Sequence, residues 1–146
     1  MLAAKNELMV KKTISIHASA VKVWETLTRP ELIKQWLYGT ETISDWKVGS
    51  PIIFTGNWQG VEYKDKGTIL GFTVEKIFRY DYWSGFSGLP DSPENYSIIA
   101  FALARIDNST ILTLTQSNFA NETMYTHSEK NWDVTLETMK KFTENS

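Results

Sequence analysis

The sequence of 146 residues predicts an α+β fold, in which one antiparallel sheet packs against helices that are separate from it along the chain. The order of the patterns is the first observation: one strand, two short helices, about six strands and one long helix. The second observation is that the strand patterns alternate apolar and polar residues. This alternation is typical of an antiparallel sheet with one buried face.

The first strand pattern covers residues 9–17, and a helix is predicted directly after it. Ser19 is expected to cap this helix, because a serine hydroxyl accepts a hydrogen bond from a free N–H of the first turn. The apolar stripe at helical spacing consists of Ala20, Val23, Trp24 and Leu27.

A second short helix is predicted immediately afterwards. Thr28 is expected to be its N-cap, with Glu31 at the capping-box position and Pro30 in the first turn, where a missing N–H costs nothing. Gly39 is expected to end the helix by adopting a positive φ angle. Leu32, Ile33 and Trp36 form the apolar side of this helix.

Six further strands and a final helix complete the prediction. The strands cover residues 40–46, 51–57, 61–72, 77–83, 96–106 and 110–117, and the helix covers residues 125–142. The fourth of these strands shows the alternation most clearly, because aromatic residues at 78, 80 and 82 flank charged residues at 79 and 81. The final helix carries Trp132, Leu136 and Met139 on one face.

Length and composition exclude several classes of protein. The length fits a single domain over residues 1–146. The absence of cysteine excludes disulfides, thiol nucleophiles and cysteine-ligated zinc, and it fits the reducing cytoplasm. Residues 1–12 lack the apolar stretch of a secretory signal, and no apolar run is long enough to span a membrane. The net charge of −2 is scattered, so neither nucleic acid nor a membrane is an expected partner.

Several short motifs carry a resemblance to a known family. Residues 16–36 fit the pattern I-x-A-x-x-x-x-V-W-x-x-L-T-x-P-x-x-x-x-x-W, residues 46–49 fit W-x-V-G, and residues 110–115 fit T-x-L-T-L-T. Residues 67–70 are similar to a G-x-V-L strand. With these motifs the chain resembles the AHSA-type family, named for activators of the heat-shock-protein-90 ATPase, in the START-like, helix-grip superfamily. Asn118 stands where the family often has glycine, and His17 stands where a small acidic or amide residue is more common.

The resemblance implies a helix-grip fold of the order β-α-α-β6-α. In such a fold a curved, seven-stranded antiparallel sheet wraps around the long C-terminal helix, with a cavity between them. The superfamily also contains polyketide cyclases, but a shared scaffold implies no shared chemistry. The activators that give the family its name carry a further N-terminal domain, which residues 1–146 are not expected to contain.

The candidate ligand site is the inward aromatic face of the predicted sheet. The predicted site residues are Phe54, Tyr63, Tyr80, Tyr82 and Phe101 on the strands, Trp132 and Leu136 on the final helix, and Trp36 near the entrance. A buried tyrosine hydroxyl needs a partner, so three of them on one face indicate a space that holds water or a polar ligand group. The alternative is that these rings simply fill the core.

The loop over residues 84–94 is a second candidate feature. Its two glycines and two prolines argue against regular structure, yet it contains the apolar residues Phe86 and Leu89. These two side chains are expected either to cover a pocket as a lid, to contact a second copy of the chain in a homodimer, or to form a small cluster of their own.

Three functions fit the sequence, and none of them requires a cofactor or a metal. The favoured one is binding of a small, largely hydrophobic molecule without covalent chemistry. The first alternative is a cyclase-like or dehydratase-like enzyme that moves protons with Tyr80, Tyr82, Asp65 or His127. For Asp65 and His127, an exposed position is the preferred expectation. The second alternative is a chaperone-ATPase activator, which the family name suggests but the predicted single domain argues against.

Overall fold

The computed structural model describes residues 7–146, so the prediction for residues 1–6 lies outside the described part of the chain. The element order matches the prediction. The elements are β1 (Met9–Ile16), α1 (Ala20–Thr28), α2 (Pro30–Trp36), β2 (Glu41–Ser44), β3 (Pro51–Trp58), β4 (Val61–Thr73), β5 (Ile77–Tyr82), β6 (Ser97–Ile106), β7 (Ser109–Ser117) and α3 (Glu122–Asn145). A single 3-10 turn, Pro93–Asn95, interrupts the loop that was expected to be irregular. Within residues 7–146, no helix is both long enough and apolar enough to cross a membrane.

The seven strands form one curved, antiparallel sheet in the order β1-β7-β6-β5-β4-β3-β2. The first two strands of the chain therefore lie at opposite edges, and α1 and α2 make the connection between them. The C-terminal helix α3 contacts β1 and both short helices. The α+β prediction, with a sheet that wraps around the terminal helix, is confirmed.

The corner between α1 and α2 differs from the prediction at one residue. Ser19 caps α1 as expected, because its hydroxyl accepts a hydrogen bond from the N–H of Lys22 at 3.2 Å. Thr28 does not cap α2, and that prediction is wrong. Its hydroxyl donates instead to the carbonyl of Trp24 at 2.8 Å, within α1. The chain breaks at Arg29, which is extended, as the residue before a proline usually is.

The far end of α2 is fixed by two residues with positive φ. Tyr38 has φ 54° and Gly39 has φ 73°, and the N–H of Gly39 donates to the carbonyl of Lys34 at 3.1 Å, as in a Schellman motif. The indole N–H of Trp36 donates to the carbonyl of Thr26 at 2.9 Å, which ties α2 to α1. The end of α2 is therefore held at a defined distance from the sheet.

The β4–β5 pair contains an irregular stretch that only glycine allows. A side chain added at Gly67 would place its Cβ 1.7 Å from the carbonyl oxygen of Asp81. The N–H of Thr68 donates to the Asp81 carboxylate at 2.6 Å, and the register shifts between Ile69 and Gly71. These contacts fix the position of β5 and of its inward side chains.

One face of β5 passes from filled core to open space along its length. The ring of Phe78 packs in an aromatic cluster, 6.4 Å from Trp24 and 5.8 Å from Trp46. Tyr80 is 5.0 Å from Phe78 on the same face, and Tyr82 follows it. These two tyrosines border a recess between the sheet and α3, so the core occupies only part of the concave face.

Candidate functional site

The candidate site is a recess of about 660 Å³ that lies between the inner face of the sheet, the end of α2 and the first half of α3. Its wall is formed by inward residues of β3 to β7 and by one side of α3, and Ser84 and Phe86 of the loop over residues 84–94 also contribute to it. The strands contribute Phe54, Trp58, Tyr63, Asp65, Tyr80, Tyr82, Ile99 and Gln116. The helices and loops contribute Trp36, Leu37, Tyr38, Thr40, Ser84, Phe86, His127, Ser128, Asn131, Trp132 and Thr135.

The recess brings together most of the predicted site residues. Those on its wall are Trp36, Phe54, Tyr63, Tyr80, Tyr82 and Trp132. Phe101 and Leu136 lie in the core instead, outside the wall. Phe101 is only 2% exposed, because its ring is covered by Phe78 at 6.2 Å and by the edge of Trp132 at 5.8 Å.

Asp65 lies inside the recess, so the preferred expectation of an exposed carboxylate is wrong. Its side chain is 8% exposed and shares the inner face of β4 with Tyr63. The hydroxyl of Tyr82 donates to one carboxylate oxygen at 2.5 Å, and the N–H of Gly85 donates to the other at 3.0 Å. These two hydrogen bonds stabilise the carboxylate in its buried position.

The two tyrosines beside Asp65 are held in their protonated form. Burial, followed by the negative charge of Asp65, raises the pKa of Tyr80 and the pKa of Tyr82 well above the usual value of about 10. Both hydroxyls therefore carry their protons at neutral pH and can donate hydrogen bonds. They are poor proton acceptors under these conditions.

The three tyrosine hydroxyls of the predicted site differ in their partners. Tyr63 shares a hydrogen bond of 2.6 Å with the hydroxyl of Thr40, and Tyr82 donates to Asp65. The Tyr80 hydroxyl makes no hydrogen bond to any group within residues 7–146, although the residue is only 6% exposed. A hydroxyl on the wall of the recess without a protein partner is a group that a bound molecule can satisfy.

Gln116 is a wall residue that the sequence prediction missed. Its carboxamide oxygen accepts a hydrogen bond from the indole N–H of Trp132 at 2.8 Å, and its NH₂ group donates to Ser97 at 2.9 Å. This chain of hydrogen bonds fixes the ring of Trp132 and links α3 to the sheet. The alternation along β7 could have identified this residue, because Gln116 lies on the same face of the strand as the buried residues Leu112 and Leu114.

Half-exposed aromatic rings surround the mouth of the recess. Tyr38 at the end of α2 meets Trp58 of β3 edge to face, with 5.8 Å between the ring centroids. The ring centroid of Phe86 lies 5.5 Å from that of Tyr63, and Phe86 is 54% exposed. Of the two apolar loop residues, Phe86 contributes to the wall of the recess, and Leu89 lies outside it.

The loop that carries Phe86 is attached to the sheet at several points. The indole N–H of Trp83 donates to the carbonyl of Leu89 at 3.2 Å, and the hydroxyl of Tyr96 donates to Asp91 at 2.5 Å. Asp91 also forms an ion pair with Lys66 of β4. Phe86 is therefore held near the mouth by the rest of its loop.

His127 lies at the exposed rim of the recess, on the first turns of α3. The position agrees with the expectation that this residue is exposed. Across the part of the chain that the structure describes, no group of three or more histidine or acidic side chains could hold a metal ion.

Comparisons with known proteins identify the family. The family described as activator of Hsp90 ATPase homolog 1-like protein matches residues 17–144. ChR145 from Cytophaga hutchinsonii is 43% identical, with a TM-score of 0.81 and 94% of each chain covered. MLL2253 from Mesorhizobium loti is 21% identical, with a TM-score of 0.78, and covers 94% of this chain and 98% of its own. The Aha1 dimer from Colwellia psychrerythraea is 22% identical, with a TM-score of 0.73 over 93% of this chain and 96% of its own.

At these lower identities, the two latter proteins share the fold alone with this chain. A comparison with curated proteins finds no match. The family match spans most of the chain, and ChR145 is similar over nearly its whole length. The protein belongs to the family of activator of Hsp90 ATPase homolog 1-like proteins and has its helix-grip fold.

Proposed function

We propose that the protein binds one small molecule with a largely apolar body in the recess, without covalent chemistry. The observation that carries this proposal is an aromatic wall combined with a few polar groups that converge at one end. The volume of about 660 Å³ lies within the range of roughly 300–1,000 Å³ that is usual for small-molecule sites. The free hydroxyl of Tyr80 provides a further polar contact for such a ligand.

The size of the apolar wall is sufficient for useful affinity. Each large apolar contact removed from water contributes about 1.5–3 kcal/mol. Three or four contacts with rings such as Trp36, Phe54 and Trp132 would approach the roughly 8 kcal/mol of a micromolar complex, before the costs of ordering are subtracted.

Tryptophan fluorescence offers a direct assay of the proposal, because Trp36, Trp58 and Trp132 line the recess. The protein should be titrated with a panel of lipids, flavonoids and aromatic acids, and its melting temperature measured in parallel. A saturable change in fluorescence together with a higher melting temperature supports the proposal. The absence of both changes with every member of the panel would contradict it.

Filling the recess should abolish binding. Thr135 is buried on α3 and lies on the wall, whereas Thr138 lies on the exposed side of the same helix. Thr135→Phe is expected to lower the affinity for any ligand found in the panel by at least about tenfold, since the new ring occupies space that the ligand needs. Thr138→Phe makes the same chemical change outside the recess and should leave the affinity within about twofold. Equal affinities for the two variants in the fluorescence titration would place the ligand elsewhere.

Proton transfer in the same recess is a second candidate function, and the buried position of Asp65 favours it. The raised pKa values of Tyr80 and Tyr82 make these residues hydrogen-bond donors, so Asp65 would be the group that accepts a proton. A ketone whose carbonyl oxygen accepts a hydrogen bond from Tyr80 could lose an α-proton to Asp65. The resulting enolate would be stabilised by the Tyr80 O–H group.

Hydrogen exchange distinguishes this candidate from simple binding. β-Tetralone, an aromatic ketone with acidic α-protons, should be incubated with the protein in D₂O and followed by proton NMR. Faster loss of the α-proton signals with the wild type than with Asp65→Asn or buffer supports proton transfer. Equal exchange rates in the three samples would exclude Asp65 as a base for this substrate and leave the binding function.

A further inference from the structure

We propose that the recess is selective for ligands that carry a protonated amine, and that their ammonium group binds at the end of the recess formed by Asp65, Tyr80 and Tyr82. This inference rests on the proposed binding function and deepens it, because it adds the charge of the ligand. The sequence analysis predicted a largely hydrophobic ligand and assigned no charge to it.

The first argument is the unbalanced charge of Asp65. Among the described residues, none of the ion pairs includes this carboxylate, although it is 8% exposed. Its neighbours in sequence offer no compensation, since Lys64 is exposed and Lys66 pairs with Asp91 at the loop. A buried charge without a counter-charge is unfavourable. A cationic group in the recess would therefore bind where the protein has a buried negative charge without a partner.

The second argument is the number of acceptor positions that remain available. Each carboxylate oxygen of Asp65 receives one hydrogen bond from the protein, from Tyr82 or from Gly85, and each has a further lone pair. The oxygen of the Tyr80 hydroxyl, which has no partner within residues 7–146, is also an acceptor. An ammonium group has three N–H donors and no acceptor, so it matches a site rich in acceptors.

The third argument is the arrangement of aromatic rings beside the carboxylate. The ring of Phe54 is 5.7 Å from that of Tyr80 and 6.0 Å from that of Tyr82. All three rings lie on the wall together with Asp65. Aromatic faces attract cations through their quadrupole, and a desolvated position strengthens this attraction. Rings and carboxylate therefore favour the same sign of charge.

An anionic ligand would find no cationic side chain in the described wall. Among residues 7–146, no lysine or arginine contributes to the wall of the recess, and His127 lies only at its exposed rim. A ligand carboxylate placed beside Asp65 would experience repulsion between like charges. The expected order of affinity for one apolar body is therefore amine, neutral alcohol and then acid.

The test uses three probes with the same ring system: naphthylmethylamine, naphthylmethanol and naphthoic acid. At neutral pH they carry a positive charge, no charge and a negative charge. The wild-type protein is expected to bind the amine about tenfold more tightly than the alcohol, and the acid more weakly than the alcohol, by calorimetry. These differences need no variant, so they remain measurable if a substitution prevents folding.

Asp65→Asn and Glu62→Gln form a matched pair of variants. Both remove one negative charge from β4, but Glu62 is exposed and lies outside the wall. Asp65→Asn removes the buried negative charge, so the preference for the amine over the alcohol should disappear, with the two affinities equal to within about twofold. Glu62→Gln should keep the full preference.

The outcomes separate the inference from the proposed function. If the wild type binds the alcohol or the acid as tightly as the amine, the inference is overturned and the binding function stands. A preference for the amine that survives in Asp65→Asn also overturns it, because the charge of Asp65 would not be its cause. If none of the three probes binds to the wild type, the inference fails together with the proposal that the recess takes an aromatic ligand.

Discussion

Phe101→Ala is expected to lower the free energy of unfolding by about 3–5 kcal/mol. Phe101 is almost fully buried, and it packs on Phe78 and on the edge of Trp132. Removing the ring loses its burial and leaves a cavity that the rigid sheet can only partly close. Urea denaturation followed by circular dichroism measures the change.

The matched control is Phe86→Ala, because Phe86 is about half exposed at the mouth of the recess. Its expected cost in stability is within about 0.5 kcal/mol, as for most surface substitutions. The two variants should rank in the opposite order in binding. Phe86→Ala should lower the affinity for naphthylmethanol, while Phe101→Ala should change that affinity much less. A loss of stability below about 1 kcal/mol for Phe101→Ala would contradict the division between core and recess wall.

Gly67→Ala is expected to destabilise the protein by about 3 kcal/mol, the upper part of the range for overpacking. The new Cβ would lie 1.7 Å from the carbonyl oxygen of Asp81, so backbone rather than a flexible side chain must move. Because Asp81 precedes Tyr82, the shift should also disturb the polar end of the recess. Thermal and urea unfolding measure the effect on stability.

Gly71→Ala is the control on the same strand. A Cβ at Gly71 would meet the nearest atom, Cβ of Arg79, at 3.4 Å, which is ordinary contact. Its expected change in unfolding free energy is within about 1 kcal/mol. Similar losses of unfolding free energy for Gly67→Ala and Gly71→Ala would show that the close approach of the Asp81 carbonyl does not exclude a side chain at Gly67.

Local sequence patterns were sufficient to predict the elements and the face on which most residues lie. Alternation along residues 77–83 placed Tyr80 and Tyr82 on the inner face, because successive side chains of a strand point to opposite sides. The positive φ of Gly39 after α2 was predictable for a similar reason, since a positive φ favours glycine, whereas the positive φ of Tyr38 was not predicted. Each of these predictions depends on a few neighbouring residues.

The division of the inner face into core and wall could not be predicted in this way. Phe101 and Tyr80 have the same inward orientation, but α3 and Trp132 cover only the first of them. That difference depends on the distance between sheet and helix, which no single strand encodes. Thr28 illustrates the same limit, because its hydroxyl could form a hydrogen bond within α1 or cap α2. The extended backbone at Arg29 makes Arg29 the N-cap residue of α2, and the Thr28 hydroxyl donates to the carbonyl of Trp24 within α1.

The burial of Asp65 was the least expected feature for a comparable reason. An aspartate between two lysines usually lies on the surface, and strand parity alone does not outweigh that tendency. Its two donors, the Tyr82 hydroxyl and the Gly85 N–H, come from residues about twenty positions away. The compensation for burial therefore became visible only in the three-dimensional arrangement.

The most direct test of the central claim is an NMR measurement of contacts between the isotope-labelled protein and naphthylmethylamine. Intermolecular nuclear Overhauser effects are expected from the naphthyl protons to the rings of Trp132, Phe54 and Tyr80, which all line the recess. Contacts confined to exposed residues such as Val61 and Ile106, with none to these three rings, would contradict the claim that naphthylmethylamine binds between the sheet and α3.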